Sequence, residues 1–131
     1  MNVYTTDRIR NVVLLGHGGC GKTSLVEAMA YLAGMTNRLG RVEDGNTVSD
    51  FDKEEIKRHF SISTTLIPVP WDKVKINVLD TPGYFDFAGE VEEAVSVADA
   101  AIIVVNCKAG IEVGTEKAWE LCDKLKLPRV I

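Results

Sequence analysis

No apolar run in this 131-residue sequence approaches the roughly 20 residues needed to cross a bilayer, so a membrane-spanning role is not expected. Its first residues, MNVYTTDRIR, lack the apolar centre of a secretory signal. Cysteine is scarce: Cys20, Cys107 and Cys122 are odd in number and show no paired spacing, which argues against a disulfide framework or a zinc site. They read as reduced thiols of a cytoplasmic protein. Basic residues are not in excess, with 15 Lys and Arg against 19 Asp and Glu, a net charge of −4 and a pI near 5.2. Bulk electrostatics therefore give no case for nucleic-acid binding, and direct DNA binding is not expected. Internal repeats and low-complexity segments are also missing.

The sequence does carry 46% hydrophobic and 26% charged residues, the balance of a soluble globular domain. Its length suits one core. Apolar runs alternate with helical patterns. Residues 11–15 (NVVLL) form a short β-branched run that breaks at Gly16, as a buried strand does. A helix is expected from Lys22, with Leu25, Ala28, Met29 and Leu32 on its apolar face and Gly34 ending it. Residues 35–61 lack a period and read as a long polar loop, functional or mobile. Poor order is expected within 38–60.

Residues 62–69 read as a strand that Pro68 and Pro70 confine to a sheet edge. Trp71 to Lys73 turn the chain, and Val74, Ile76 and Val78 alternate along a second strand ending at Asp80. Further on, a helix fits 87–98, with Val91, Ala94, Val95 and Ala98 on one face. A strand fits 100–105. Another helix fits 115–126, with Thr115 as N-cap and Ala118, Leu121, Cys122 and Leu125 inward. A last strand begins at Pro128. The alternation predicts an α/β fold with a mostly parallel sheet, helices on both faces and one antiparallel edge strand.

Chemistry concentrates at Gly16-x-x-x-x-Gly21-Lys22-Thr23, between a strand and a helix. This is the setting of a phosphate-binding P-loop. Gly16, His17, Gly18, Gly19, Cys20, Gly21, Lys22, Thr23 and Ser24 are the candidate phosphate lining, using backbone N–H groups and the helix N-terminus. Lys22 is the candidate for the outer phosphates. The Thr23 hydroxyl is a candidate ligand for Mg²⁺, which takes hard oxygen donors.

Asp80-Thr81-Pro82-Gly83 ends a strand. There a carboxylate can hold Mg²⁺ through its water shell, and the Gly83 N–H can sense a γ-phosphate. Taken alone, the same four residues make an ordinary turn. Ser61 could complete the Mg²⁺ shell, or simply cap a turn on the surface. His17 and His59 have no ligand-spaced partner and are assigned to no metal. Trp71 and Trp119 read as packing residues rather than stacking platforms.

Three stretches, IRNVVLLGHGGCGKTSL, NRLGRVEDGNTVSDFDKEEIKRHFSIS and KINVLDTPGYFDFAGEVEEAVSVADAAIIVVNCKAGIEVGTEKAWE, resemble the G domain of translation elongation factor G, especially its elongation factor G-like branch. The resemblance covers nearly the whole chain from Arg8. It implies a Ras-like P-loop NTPase fold, binding of GTP or GDP with Mg²⁺, GTP hydrolysis and a ribosomal partner. It puts the first switch at about 35–63 and the second at about 80–90, with Thr23, Ser61 and Asp80 at the metal and Gly83 at the γ-phosphate. It also implies that the chain is a partial G domain, with the guanine-reading Asn-Lys-x-Asp motif a few residues past Ile131 and an edge of the sheet left open to pairing.

Two positions depart from the family pattern. Tyr84 stands where elongation factor G usually has the histidine that positions the attacking water. Tyrosine can hydrogen-bond a water but cannot become a cation as histidine does. Gly19 stands where the family usually has aspartate. Two other readings remain at this point. One is a nucleotide-dependent binding module with weak hydrolysis, suggested by Tyr84. The other is a partitioning-type P-loop ATPase, whose GKGGxGKT loop is close to GHGGCGKT but has lysine at the place of His17.

Overall fold

A computed structural model describes residues 3–131, with the side chain of Phe85 outside that description. Five strands form one sheet in the order β2-β3-β1-β4-β5. They are β1 (Ile9–Leu15), β2 (Thr65–Trp71), β3 (Val74–Asp80), β4 (Ala100–Ile103) and β5 (Arg129–Val130). β1 pairs in parallel with β3 and with β4, and β4 with β5. The β2–β3 pair is antiparallel, with Pro68 opposite Asn77. Proline has no N–H for the ladder, which suits β2 to its edge position.

Helices α1 (Lys22–Leu32), α2 (Lys53–Arg58), α3 (Ala88–Ser96) and α4 (Val113–Leu125) connect the strands. Successive β1 side chains point to opposite faces and seed two cores. Val13 and Leu15 join Ala94 and Val95 of α3 and Ala118 and Cys122 of α4. Leu14 joins Val26 and Ala30 of α1 with Ile67, Val69 and Val78. Val13, Leu14 and Leu15 are essentially fully buried, as expected of a central strand covered on both faces. The α/β sandwich read from the sequence is the fold observed.

Several local expectations are corrected. Val26, Glu27 and Ala30 are the buried positions of α1 near its middle, while Leu32 is exposed. The stripe therefore lies one residue away from the one expected. The N-cap of α4 is Glu112, not Thr115, which sits at the third helical position and closes a reciprocal capping box. Leu125 is exposed, and so are Trp71 and Trp119. Trp119 stacks beneath the Arg129 guanidinium at 3.8 Å. Residues 35–61 contain α2, whose Asp52 and Glu55 form a capping box, and they are tied down rather than structureless. No helix among the described residues is long and apolar enough to cross a membrane.

Candidate functional site

The site lies at the C-terminal ends of the parallel strands β1 and β3. Helix α1 starts at Lys22 with Gly21 as its N-cap in the left-handed region, φ 106°. Glycine adopts that conformation without strain. It also offers no side-chain acceptor, so the first-turn N–H groups of α1 are left for a ligand. The Lys22 ammonium donates to the carbonyls of Gly16 at 3.1 Å and His17 at 2.9 Å, which fixes it across the loop. Burial pulls this ammonium below its usual range, and the charges of Cys20 and Asp80 offset part of that effect.

Five hydroxyl and carboxylate groups meet near Lys22. The Thr23 and Ser61 hydroxyls lie 3.2 Å apart. Ser61 donates to Asp50 Oδ1 at 2.6 Å, and Ser49 donates to Asp80 Oδ2 at 2.5 Å. Asp80 is fully buried. Burial raises its carboxyl to about 6, against the opposing hydrogen bonds of Ser49 and Thr23. Asp50 is pushed upward by burial as well, opposed by its bond from Ser61.

Asp50 Oδ2 and Asp80 Oδ1 are both buried without a hydrogen-bond partner. Buried carboxylate oxygens in that state are costly unless a cation or proton joins them. The donor set is all oxygen, which fits a hard cation. No cluster of three or more His, Cys, Asp or Glu able to hold a metal occurs among the described residues. Two carboxylates beside two hydroxyls are a donor set that fits Mg²⁺, which takes one or two carboxylates and completes its shell with waters and phosphates.

Above the loop, Gly83 comes so close that a Cβ there would sit 2.5 Å from Lys22 Nζ and 2.6 Å from the Gly18 nitrogen. Tyr84 continues over Gly18, where a Cβ would meet its ring at 2.8 Å. The same ring leans on Phe60, with centroids 4.8 Å apart. Segments distant in sequence thus close on the loop. Their shared cleft of about 190 Å³ is lined by Gly18, Gly19, Gly21, Lys22, Thr23, Ser24, Ser61, Gly83 and Tyr84 among others.

Most sequence-predicted site residues are therefore together. Four sit apart from the cleft wall, Asp80 among them because it is fully buried. His17 packs against Gly114 with Nε2 3.6 Å from Glu112. Cys20 turns its sulfur towards Gly16 and Lys22. Gly16 instead borders a larger, mainly apolar cavity of about 340 Å³ between α3 and α4. Sequence reasoning missed Ser49 and Asp50. Both fall in an aperiodic stretch where only contact with Asp80 and Ser61 reveals them.

A family model for the elongation factor Tu GTP binding domain matches residues 7–131. The chain belongs to this family. Among curated relatives, it is 41% identical over 128 residues to mitochondrial ribosome-releasing factor 2 of Drosophila willistoni, covering 98% of this chain and 17% of the relative. It is 38% identical over 130 residues to the same-named protein of Scheffersomyces stipitis, covering 99% and 15%. The chain thus spans about a sixth of the length of these relatives.

A crystal structure from Thermus thermophilus superposes with a TM-score of 0.91 at 43% identity, over 94% of this chain and 19% of that one. Elongation factor SelB of Methanococcus maripaludis, solved with a GTP analogue, superposes at 0.69 and 20% identity over 98% of this chain and 22% of that one, a likeness of fold alone. The family match and the superposition agree with the translation-factor G-domain fold that the sequence resemblance implied.

Proposed function

We propose that this G domain binds GTP and GDP together with Mg²⁺ and hydrolyses GTP, as part of a longer protein that works on the ribosome. The observation that carries the reading is the convergence of Lys22, Thr23 and Ser61 on one cleft at the start of α1, with the buried Asp80 carboxyl beside Thr23 and Lys22. Residues about 35–63 and 80–90 act as its nucleotide-sensing switches. Thr23 and Ser61 would hold Mg²⁺ directly, and Asp80 and Asp50 through its water shell. When bound, the metal supplies charge neutralisation to the phosphates.

This chain's own contribution is positioning and charge. The glycine-rich loop and the α1 N-terminus cradle the phosphates. Lys22, anchored on Gly16 and His17, meets the outer phosphate oxygens. The Gly83 N–H faces the γ-phosphate, and Tyr84 stands where the attacking water is oriented for in-line displacement. The family's named relatives are ribosome-releasing factors assigned to mitochondria. Those names and the sequence resemblance support a ribosomal partner. A reducing compartment containing ribosomes, the cytoplasm first, suits the free cysteines.

Single-turnover GTP hydrolysis by the full-length protein, with and without ribosomes, tests this. Ribosome-stimulated turnover is expected, and its absence would overturn the coupled reading. A second reading is a nucleotide-dependent binding module with slow hydrolysis. It is favoured by Tyr84 resting on Gly18 and Phe60 in place of a histidine.

A further inference from the structure

Among the described residues, two buried carboxylates outside the proposed ligand set form no ion pair and accept from backbone N–H groups. Glu27 is buried in α1 next to Val26 and one turn before Ala30, at 2% exposure. Its Oε1 accepts from Gly40 N and its Oε2 from Val48 N, each at 2.8 Å. Glu55 of α2 is 3% exposed. Its Oε1 accepts from Ile62 N at 3.0 Å and Ser63 N at 3.2 Å, and its Oε2 from Asp52 N at 3.2 Å.

Burying a carboxylate works against folding unless strong bonds compensate. An apolar residue at either position would leave these backbone N–H groups without an acceptor, so each carboxylate ties particular chain segments to its helix. The bonded backbone positions identify those segments. Gly40 and Val48 lead into Ser49 and Asp50. Ile62 and Ser63 follow Ser61, and Phe60 N donates to the Glu55 carbonyl at 3.3 Å. The two glutamates therefore fasten the chain on both sides of the stretch that delivers Ser49, Asp50 and Ser61. Glu27 also lies one helical turn after Thr23, on the same face of α1. The helix that presents Thr23 thus sets the register of Asp50 through a single rigid element.

We propose that Glu27 and Glu55 are positioning residues, a pair of buried clasps that hold residues 40–63 in place so that Asp50 and Ser61 meet Thr23 at the metal site. This rests on the magnesium-nucleotide reading above. Gln at either position keeps size and shape but removes the charge. It also turns an amide N–H₂ towards a backbone N–H, so at least one bond is lost.

The test uses the full-length protein as wild type, Glu27→Gln, Glu55→Gln and the surface control Glu93→Gln. Retention of a fluorescent GDP is titrated with Mg²⁺ and repeated in EDTA. Trypsin cleavage within residues 38–58 is timed in the presence of GDP and Mg²⁺. Both clasp variants are expected to bind GDP in EDTA as wild type does, yet to need roughly tenfold more Mg²⁺ for equal retention, the scale of one charge-assisted hydrogen bond. Cleavage should quicken by a similar factor, and the control should match wild type.

An unshifted Mg²⁺ requirement in folded variants would overturn the clasps, even if cleavage quickens, because that pattern belongs to a merely structural role. If Glu27→Gln does not fold, Glu27→Asp and Glu55→Gln decide the matter by the same readouts. A wild-type protein that retains GDP equally well in EDTA would instead overturn the metal site on which the clasps depend.

Discussion

Replacing Asp80 with asparagine should move two properties in opposite directions. Without metal, the Asp80 carboxyl is raised to about 6 from the usual 3.8 because it is buried. The folded state then holds its proton more tightly than the unfolded chain does. Metal-free protein therefore gains stability as the pH falls from 7 through 6 towards 4, the reverse of an ordinary ion-paired carboxylate. At about 1.4 kcal/mol per pH unit, the ionised group costs about 3 kcal/mol at neutral pH.

Asp80→Asn would remove that cost, and the new side chain could still accept the Ser49 bond. Its amide would point where Asp80 Oδ1 has no partner, which returns roughly 1–3 kcal/mol of penalty. A net stabilisation of about 1 kcal/mol is expected at pH 7.5, or roughly 2–5 °C in melting temperature. At pH 5 the wild-type carboxyl is protonated and the order reverses. Thermal melts in EDTA from pH 5 to 8 measure this, while Mg²⁺-dependent GDP retention by the same variant should be lost. An Asp80→Asn protein less stable than wild type at both pH values would refute the reasoning.

Lys22→Ala removes the charge held over the loop and should weaken GDP binding at least a hundredfold, on the order of losing a buried phosphate contact, as titration with fluorescent GDP would measure. Gly18→Ala places a methyl 2.8 Å from the Tyr84 ring and should displace it, destabilising the metal-free protein by about 1–3 kcal/mol in thermal melts. Gly18→Ala combined with Tyr84→Ala should recover most of that loss. Tyr84→His should raise single-turnover hydrolysis at least tenfold if the phenol limits general-base or water-orienting chemistry. An unchanged rate there would remove Tyr84 as the limiting group and favour the first reading of function over the second.

The glycine-rich loop was legible because short-range pattern carries it, while Asp80 and Gly83 read as an ordinary turn until set beside that loop. A strand, a turn and a helix N-terminus occupy consecutive residues, and backbone geometry does the rest. Ser61 needed the family resemblance, since its spacing alone suits a surface turn equally well. Ser49, Asp50, Glu27 and Glu55 were not legible. Their roles arise from contacts across 7 to 31 positions in sequence, which leave no periodic trace. The α1 stripe was misplaced for a related reason. Glu27 is polar by type yet buried by its bonds, so hydrophobic pattern moved the face towards Leu32. The Trp119 contact with Arg129 joins α4 to β5, and only the fold brings the two together.

The most direct test of the nucleotide site is competition against fluorescent GDP on the full-length protein, with GTP, GDP and ATP each titrated in Mg²⁺ and in EDTA. GTP and GDP are expected to displace the probe, ATP to leave it bound at the same concentrations, and EDTA to weaken the guanine nucleotides markedly. Equal displacement by ATP, or retention indifferent to Mg²⁺, would contradict a guanine-nucleotide site built on Lys22, Thr23, Ser61 and Asp80.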